Sequence, residues 1–311
     1  MCLLWPLAFA FALLVDRLFG EPPTWAHPVV AMGRYLGLFS KRLLSLPPRP
    51  AFALGALAWV LGALLVGGLA LLLESALILS LAPWSSWPRL LLCAALLGLL
   101  LKPLLAWRML ADEVLAVERA LQVSLEDGRS QLARLVSRDT SALSAEQVRE
   151  AAIETLAENL NDSVVAPLFW AMLAGLPGAA VYRFANTADA MWGYRGQWEW
   201  AGKWAARADD VLSWLPARIT AIAMSSLRPQ ALLRLSQQAS RTPSPNSGWP
   251  MAAMALRLDL RLGKPGVYQL NAEGRAPQPQ DLPAAIAYAR RGLLASAFSL
   301  AALAAFLRLQ T

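Results

Sequence analysis

Histidine is almost missing from this chain: His27 is the only one in 311 residues. One chain therefore builds no multi-histidine metal centre, although a lone imidazole can still act as an acid or base. In "TWAHPVV" it reads as a structural residue. Cysteine is nearly as scarce. Cys2 and Cys93 both lie in apolar runs, where a thiol packs as a small hydrophobe, so neither a disulfide framework nor a thiolate metal site is supported. Charge is thin too, at 16% of residues against 57% hydrophobic, with mean hydropathy +0.44. Such a composition is too apolar for an ordinary soluble domain and too charged for a chain made only of membrane spans. No Walker-type glycine loop, internal repeat or nucleic-acid-binding motif is present. The net charge of +7 and pI of about 9.9 need no nucleic acid, because basic residues also gather at an anionic inner leaflet.

What the chain does have is long apolar sequence. The run "AFALGALAWVLGALLVGGLALLL", residues 51–73, is long enough at about 1.5 Å per residue to cross a hydrocarbon core of roughly 30 Å. Further spans are expected over 90–107, with Lys102 near its end, and over 292–309, closed by Arg308. The run 2–15 lacks a basic n-region and a cleavage signal, so it reads as a retained anchor, with a membrane-surface helix as the alternative. The loop after it carries Arg17, Arg34, Lys41, Arg42 and Arg49, whereas the connection around "APWSSWP" carries only Arg89. By the positive-inside rule the first loop is cytoplasmic, and a return of the chain over 90–107 makes the charged region from Arg108 to Asp162 cytoplasmic as well. These features predict an all-α polytopic integral membrane protein, with cytoplasmic helical and loop segments packed at the membrane surface, in one membrane-embedded domain over 1–311.

The charged sequence falls into clusters. "SAEQ" announces a helix start: Ser144 caps it and Gln147 reaches back to complete a capping box. That helix places Glu154, Glu158 and Asp162 one turn apart, with Asn161 beside them; like charges at this spacing repel, so something cationic should offset them. Just before it, in "SRDTSAL", Asp139 and Thr140 sit in a turn, where local capping is the plain reading. After it, residues 164–182 are free of charge but broken by Pro167 and "GLPG". Each half is about half a bilayer long, which allows a kinked span or a re-entrant hairpin. The hairpin is preferred, since it keeps the polar clusters on one side. Next come Asn186, Thr187, Asp189, Tyr194, Arg195, Asp209 and Asp210 among many tryptophans, which mark interface belts. Arg218, in an otherwise apolar run, needs an acid such as Asp210 or an anionic ligand; a structural pair serves equally well. Finally, Ser244, Asn246 and Ser247 precede a helix with Pro250 in its first turn, a start that either is ordinary or receives a phosphate on free backbone N–H groups. "GKPGVYQLNAEGRAPQPQDLP" then reads as a Gly/Pro-rich loop.

Six blocks in order, "GEPPTWAHPVVAMGR", "RDTSAL", "ETLAENLNDSVVAPLF", "NTADAMWGY", "ARADDVLSWLPARIT" and "SPNSGWPMAAMA", resemble the CobD/CbiB family, the adenosylcobinamide-phosphate synthases of cobalamin biosynthesis. The resemblance covers about residues 16–266. It departs from the usual family pattern at Ala188 and Ala190, at Arg241 and Thr242, and at Gln269 and Leu270 after Tyr268. It implies an inner-membrane ligase, its active site facing the cytoplasm, that joins adenosylcobyric acid to an aminopropanol phosphate in an ATP-dependent amide bond. The corrinoid, the amine phosphate, the bilayer and other late enzymes of the pathway are then the expected partners. Catalytic roles are expected of Asp139, Thr140, Glu158, Asn159 and Asp189, and substrate or phosphate contacts of Asn186, Tyr194, Arg195, Arg218, Ser244 and Asn246. Activating a carboxylate by phosphoryl or adenylyl transfer generally calls for Mg²⁺, which carboxylates and substrate oxygens hold. Glu154, Glu158 and Asp162 are the expected metal ligands, with ATP as co-substrate. A transporter built on the broken helix and a non-catalytic scaffold or sensor using the acidic face are the alternatives.

Overall fold

The computed structural model describes residues 2–82, 86–225, 227–307 and 309. In chain order the elements are α1 (Leu4–Phe19), α2 (Pro28–Leu44), α3 (Pro48–Ser80), α4 (Ser86–Leu101), a 3-10 turn at Lys102–Leu104, α5 (Trp107–Val123), α6 (Leu125–Leu132) and α7 (Ala145–Leu160). A π turn at Asn161–Val165 leads into α8 (Ala166–Trp192), a 3-10 turn at Gly196–Trp198, α9 (Lys203–Ala223), α10 (Pro229–Ala239) and α11 (Gly248–Leu258). The antiparallel pair β1 (Leu262–Lys264) and β2 (Tyr268–Leu270) precedes α12 (Asp281–Leu307). The protein is thus an all-α polytopic membrane protein with one small β-hairpin added among the described residues.

Four helical segments are long and apolar enough to cross a membrane: Pro48–Ser80, Trp87–Val123, Ala145–Trp192 and Asp281–Leu307. They contain most of the expected spans 51–73, 90–107 and 292–309. The expected span 2–15 is not one of the four. Its helix α1 has 16 residues, about 24 Å by helix rise, and buries Trp5, Phe9 and Ala12 from one face. Pro83, Trp84 and Ser85 of the "APWSSWP" connection, and Arg308, lie outside the described residues.

Contacts divide the chain into two compact units. The first comprises Met1–Ala106, Ala166–Ser213 and Ala297–Thr311. Here α1 packs on α4 so closely that a Cβ on Gly98 would meet the Ala8 carbonyl at 2.9 Å. A buried charge network joins the end of α1 to the start of α2. Lys102 Nζ lies 3.4 Å from Asp16 Oδ1 and 3.0 Å from Glu21 Oε1. His27 has the structural role expected of it. Its Nδ1 accepts the Val29 N–H to cap α2, which leaves Nε2 to donate to Glu21 Oε2 at 3.0 Å.

Within the same unit α8 breaks where "GLPG" predicts. Ala174 (φ −129°, ψ 19°) and Gly175 (φ 68°, ψ −159°) leave helical geometry. A Cβ on Gly178 would collide with the carbonyl of Trp170, eight residues back, a pair that a straight helix holds about 12 Å apart along its axis. The backbone therefore folds back sharply. Glu74 of α3 caps the second half by accepting the Leu176 N–H at 2.7 Å. Farther on, Pro216 in α9 has no N–H for the Leu212 carbonyl, and the Trp170 indole N–H supplies it at 3.0 Å.

The second unit comprises Trp107–Val165 and Trp214–Ser296. Its centre is α7, of which Val148, residues 150–157 and Leu160 are all buried. Helices α5, α6 and α11 and strand β1 surround it. A charged helix this deep needs a partner for each charge. Arg149 has Glu118 of α5, Glu150 has Arg261 and Glu154 has Arg138.

Candidate functional site

Helix α7 starts as the sequence predicts. Ser144 Oγ accepts the Gln147 N–H, and the Ser144 N–H donates to Gln147 Oε1 at 2.9 Å, closing the capping box. The helix is fixed against α5 by a two-pronged pair: Arg149 donates through Nε to Glu118 Oε2 at 2.7 Å and through Nη2 to Oε1 at 2.9 Å. With α7 held this way, its next two turns line a polar cavity of about 200 Å³. Glu154, Thr155, Glu158 and Asn159 form one wall, Arg138 another, and Lys264 and Tyr268 of the β-hairpin a third.

The hairpin is a three-residue turn between two three-residue strands. Gly266 takes φ 73°, and the Val267 N–H donates to the Lys264 carbonyl at 3.0 Å. Asn271 secures its base: the backbone N–H donates to Gln238 Oε1 at 2.9 Å and the side-chain amide to the Leu260 carbonyl at 3.1 Å. Tyr268 is thereby lodged beside α7. Burial, with the Glu154 carboxylate beside it, pushes the Tyr268 hydroxyl well above its ordinary pKa, so it remains a neutral donor. On the far side of the hairpin a wider, open basin of about 740 Å³ shares Lys264 and Tyr268 and is floored by Glu146 and Glu150.

The cationic counterweight expected for the acidic face is present in Arg138, whose Nη2 stands 3.5 Å from Glu154 Oε2. The expected three-carboxylate metal set is not formed. Among the described residues no three His, Cys, Asp or Glu side chains converge on one point. The physical reason is the π turn at Asn161–Val165, which breaks the 100° register that would stack Asp162 under Glu158. Asp162 is held instead by Asn161, whose side-chain amide donates to Asp162 Oδ1 at 2.7 Å, while Asn161 Oδ1 accepts from Thr220 Oγ1 at 3.1 Å. Asn159 turns inward on its own helix, donating to the Thr155 carbonyl.

Asp139 and Thr140 are set up as turn residues. Asp139 is exposed, and its Oδ1 accepts the Ser141 N–H at 2.9 Å, a bond that holds its carboxyl below the usual carboxylate range. Thr140 is buried and donates to the Arg129 carbonyl. Arg218 proves to be a lock on the "SPNSGW" loop. Its guanidinium lies between the Trp214 and Trp249 rings, 4.0 and 4.7 Å from their centroids. It donates to the Trp214 carbonyl at 2.6 Å, to the Pro245 carbonyl and to Asn246 Oδ1. The turn before that helix start is held by its own side chain. The Asn246 and Ser247 N–H groups both donate to Ser244 Oγ at 3.2 Å, and Pro250 has none to offer.

Asn186, Asp189, Tyr194 and Arg195 belong to the other unit. Asn186 accepts from Arg183, the Asp189 carbonyl accepts the Gly193 N–H at the end of α8, and Tyr194 and Arg195 are exposed. Three lining residues, Arg138, Lys264 and Tyr268, carry no site role in the sequence analysis. The "KPG" turn is the signal that locates the last two: Pro-Gly flanked by residues able to pair marks a hairpin.

A family model described as CobD/Cbib protein matches residues 9–292. The chain belongs to the CobD/CbiB family. A protein of Pyrococcus furiosus named "Probable cobalamin biosynthesis protein CobD" is 40% identical over 281 residues, covering 90% of this chain and 92% of that one. Relatives named "Cobalamin biosynthesis protein CobD" occur in Halalkalibacterium halodurans, 37% identical over 85% of this chain and 82% of its own, and in Dehalococcoides mccartyi, 34% identical over 89% and 90%. No solved structure matches the chain.

Proposed function

We propose that this CobD/CbiB-family protein is a membrane-embedded ligase of cobalamin biosynthesis, an adenosylcobinamide-phosphate synthase. In this reading it joins adenosylcobyric acid to an aminopropanol phosphate as an amide at the expense of ATP. The observation that carries the reading is the α7 cavity, where two carboxylates, two cations and a neutral phenol face one small space that adjoins a larger basin. A ligation needs such a pairing of a small polar subsite with room for a bulkier co-substrate.

Mg²⁺ fits part of the expected set. Glu154 faces Arg138, and Glu158 on the same cavity wall is a hard oxygen donor of the kind that would hold Mg²⁺ together with substrate phosphates. When bound, the ion neutralises phosphate charge. The chain's own part is to attract an anion with Arg138 and Lys264, to donate a hydrogen bond from Tyr268, and to keep the Glu154 carboxylate away from bulk water by burying α7. The reading also places the protein in the cell inner membrane with this cavity toward the cytoplasm; the basic first loop supports that orientation. The bilayer, the corrinoid, the amine phosphate and, by docking, other late enzymes of the pathway are its partners.

The test is purified full-length protein in detergent with adenosylcobyric acid, ATP, Mg²⁺ and candidate amines, read by mass spectrometry of the amide product. Product that requires ATP supports the ligase. Folded protein that gives none with any amine overturns it, and corrinoid flux across sealed vesicles without ligation points to a transporter. Glu158→Gln should raise the Mg²⁺ requirement more than Asp162→Asn does; an unchanged requirement in Glu158→Gln removes it as a metal ligand. Single cysteines introduced at Ala142, Gly196 and Ser240, with Cys2 and Cys93 removed, should label from the cytoplasm, and labelling of Gly196→Cys only from the opposite side would rule out the hairpin.

A further inference from the structure

Away from the α7 cavity, three arginines of the second unit line a pocket that holds no acid. In most of this unit a buried or half-buried arginine has its own carboxylate: Arg138 stands against Glu154, Arg149 against Glu118, Arg261 against Glu150 and Arg275 against Asp281. Between the end of α9, α10 and α11, however, Arg228, Arg234 and Arg257 share a pocket of about 360 Å³, and among the described residues no Asp or Glu lines it. Its floor is apolar, with Met224 and Ala253 buried and Leu256 half-buried. Three guanidinium groups round one space repel one another. A phosphate offsets that repulsion and accepts paired hydrogen bonds from their planar forks.

The position of the pocket narrows the choice of phosphate. A Cβ on Gly292 of α12 would stand 2.5 Å from Met224 Cγ, so the pocket floor is packed against that turn of α12. One turn earlier, the Tyr288 ring centroid lies 5.7 Å from Arg257 Cζ. Arg290 and Arg291 end the charged part of α12, and no charge follows from Gly292 to Leu307. The pocket is therefore level with the point where a candidate span passes from charged to apolar sequence, the depth at which lipid headgroups lie. Each of the three arginines also follows a leucine, and Leu227 and Leu233 are exposed, as is Leu294 just inside the charge-free stretch. Exposed leucines beside the cations give a soluble nucleotide nothing, whereas acyl chains cover them. A volume of about 360 Å³ is roughly twelve water-sized portions, room for one phosphodiester with its glycerol while the chains stay outside. We propose that this pocket binds the phosphodiester headgroup of an anionic membrane lipid on Arg228, Arg234 and Arg257. The site is distinct from the α7 cavity and stands whether or not ligation takes place there.

The test is native mass spectrometry of the purified full-length protein, stripped of lipid in detergent and titrated with phosphatidylglycerol or phosphatidylcholine of equal chain length. The anionic lipid should bind at least about tenfold more tightly than the zwitterionic one, because choline returns a positive charge to a site that already has three. Arg234→Gln and Arg257→Gln should each weaken phosphatidylglycerol about fivefold, as expected for one basic residue at an anionic headgroup, and leave phosphatidylcholine unchanged. Arg290→Gln, on α12 outside the lining, is the control and should leave both lipids unchanged. All three residues are exposed, and each variant is first checked by thermal unfolding. If Arg257→Gln, which removes the cation over Tyr288, does not fold, Arg234→Gln decides alone. Equal affinity for the two lipids, no loss in the pocket variants, or the same loss in Arg290→Gln overturns the site in favour of a merely basic surface. Inorganic phosphate and ATP are titrated in parallel arms. Tighter binding of either than of the lipid, weakened by the same pocket substitutions, assigns the pocket to a soluble phosphate and overturns the lipid.

Discussion

Replacing Gly175 with Ala should be among the most damaging single-methyl additions in the first unit. The residue sits at φ 68°, ψ −159°, a region that only glycine enters without strain. A Cβ there would stand 2.5 and 2.8 Å from the two oxygens of the Glu74 carboxylate, which must then move. Moving it breaks the 2.7 Å bond from the Leu176 N–H, the group that starts the second half of α8. Backbone strain costs about 1–3 kcal/mol and an orphaned N–H a similar amount, so the expected loss is about 2–6 kcal/mol. The assay is thermal unfolding of the purified protein in one detergent, beside Gly37→Ala as control. A Cβ on Gly37, inside α2, meets nothing within 4 Å, so the same substitution there should stabilise by about 0.5–1 kcal/mol. Glu74→Gln keeps an accepting oxygen and should fall between the two. If Gly175→Ala unfolds at the wild-type temperature or above it, the break at Ala174–Gly175 and its Glu74 cap are not what the backbone adopts.

Three further substitutions test how the second unit is built. Glu118→Ala leaves Arg149 buried without its carboxylate and should destabilise by about 3–5 kcal/mol in denaturant or thermal unfolding, with Glu118→Gln less harmful because one accepting oxygen remains. Asp139→Asn preserves the oxygen that accepts the Ser141 N–H and should retain ligation, while Asp139→Ala should lower it by loosening the turn; loss of turnover in Asp139→Asn with an unchanged fold would restore Asp139 to acid–base chemistry. Arg218→Lys removes the planar group between Trp214 and Trp249 and should cost about 1–2 kcal/mol of stability at unchanged KM for ATP; a raised KM in an equally stable variant would mean that Arg218 holds phosphate after all.

Local signals were legible wherever a few adjacent residues decide the geometry. The Ser144–Gln147 capping box, the break at "GLPG" and the structural role of His27 are each decided by nearby residues, and each is present. Membrane character was equally legible, because hydropathy is summed over a whole helix. The ends of the spans were not: α3 runs to Ser80, and α2 fills a loop read only for its charges. Those boundaries depend on packing against α8, which adjacent sequence does not encode.

The site was half legible for a more specific reason. The acidic face of α7 could be read as a problem in need of a solution, since repulsion between Glu154 and Glu158 follows from helix geometry alone. Its solution comes from 16 residues upstream in Arg138 and from more than 100 residues downstream in Lys264 and Tyr268, and no periodicity links such positions. Asp162 was misplaced by assuming one register throughout, whereas a single π turn rotates everything after Leu160. The same turn aims Asn161 at Thr220, so the Asn161 amide, which also holds the Asp162 carboxylate, links the end of α7 to α9. Strands of three residues show no alternation to detect, which is why the hairpin carrying Lys264 and Tyr268 read as loop. The residues that complete the cavity are thus those whose placement depends on chain reversals, and the residues read correctly are those placed by one uninterrupted helix.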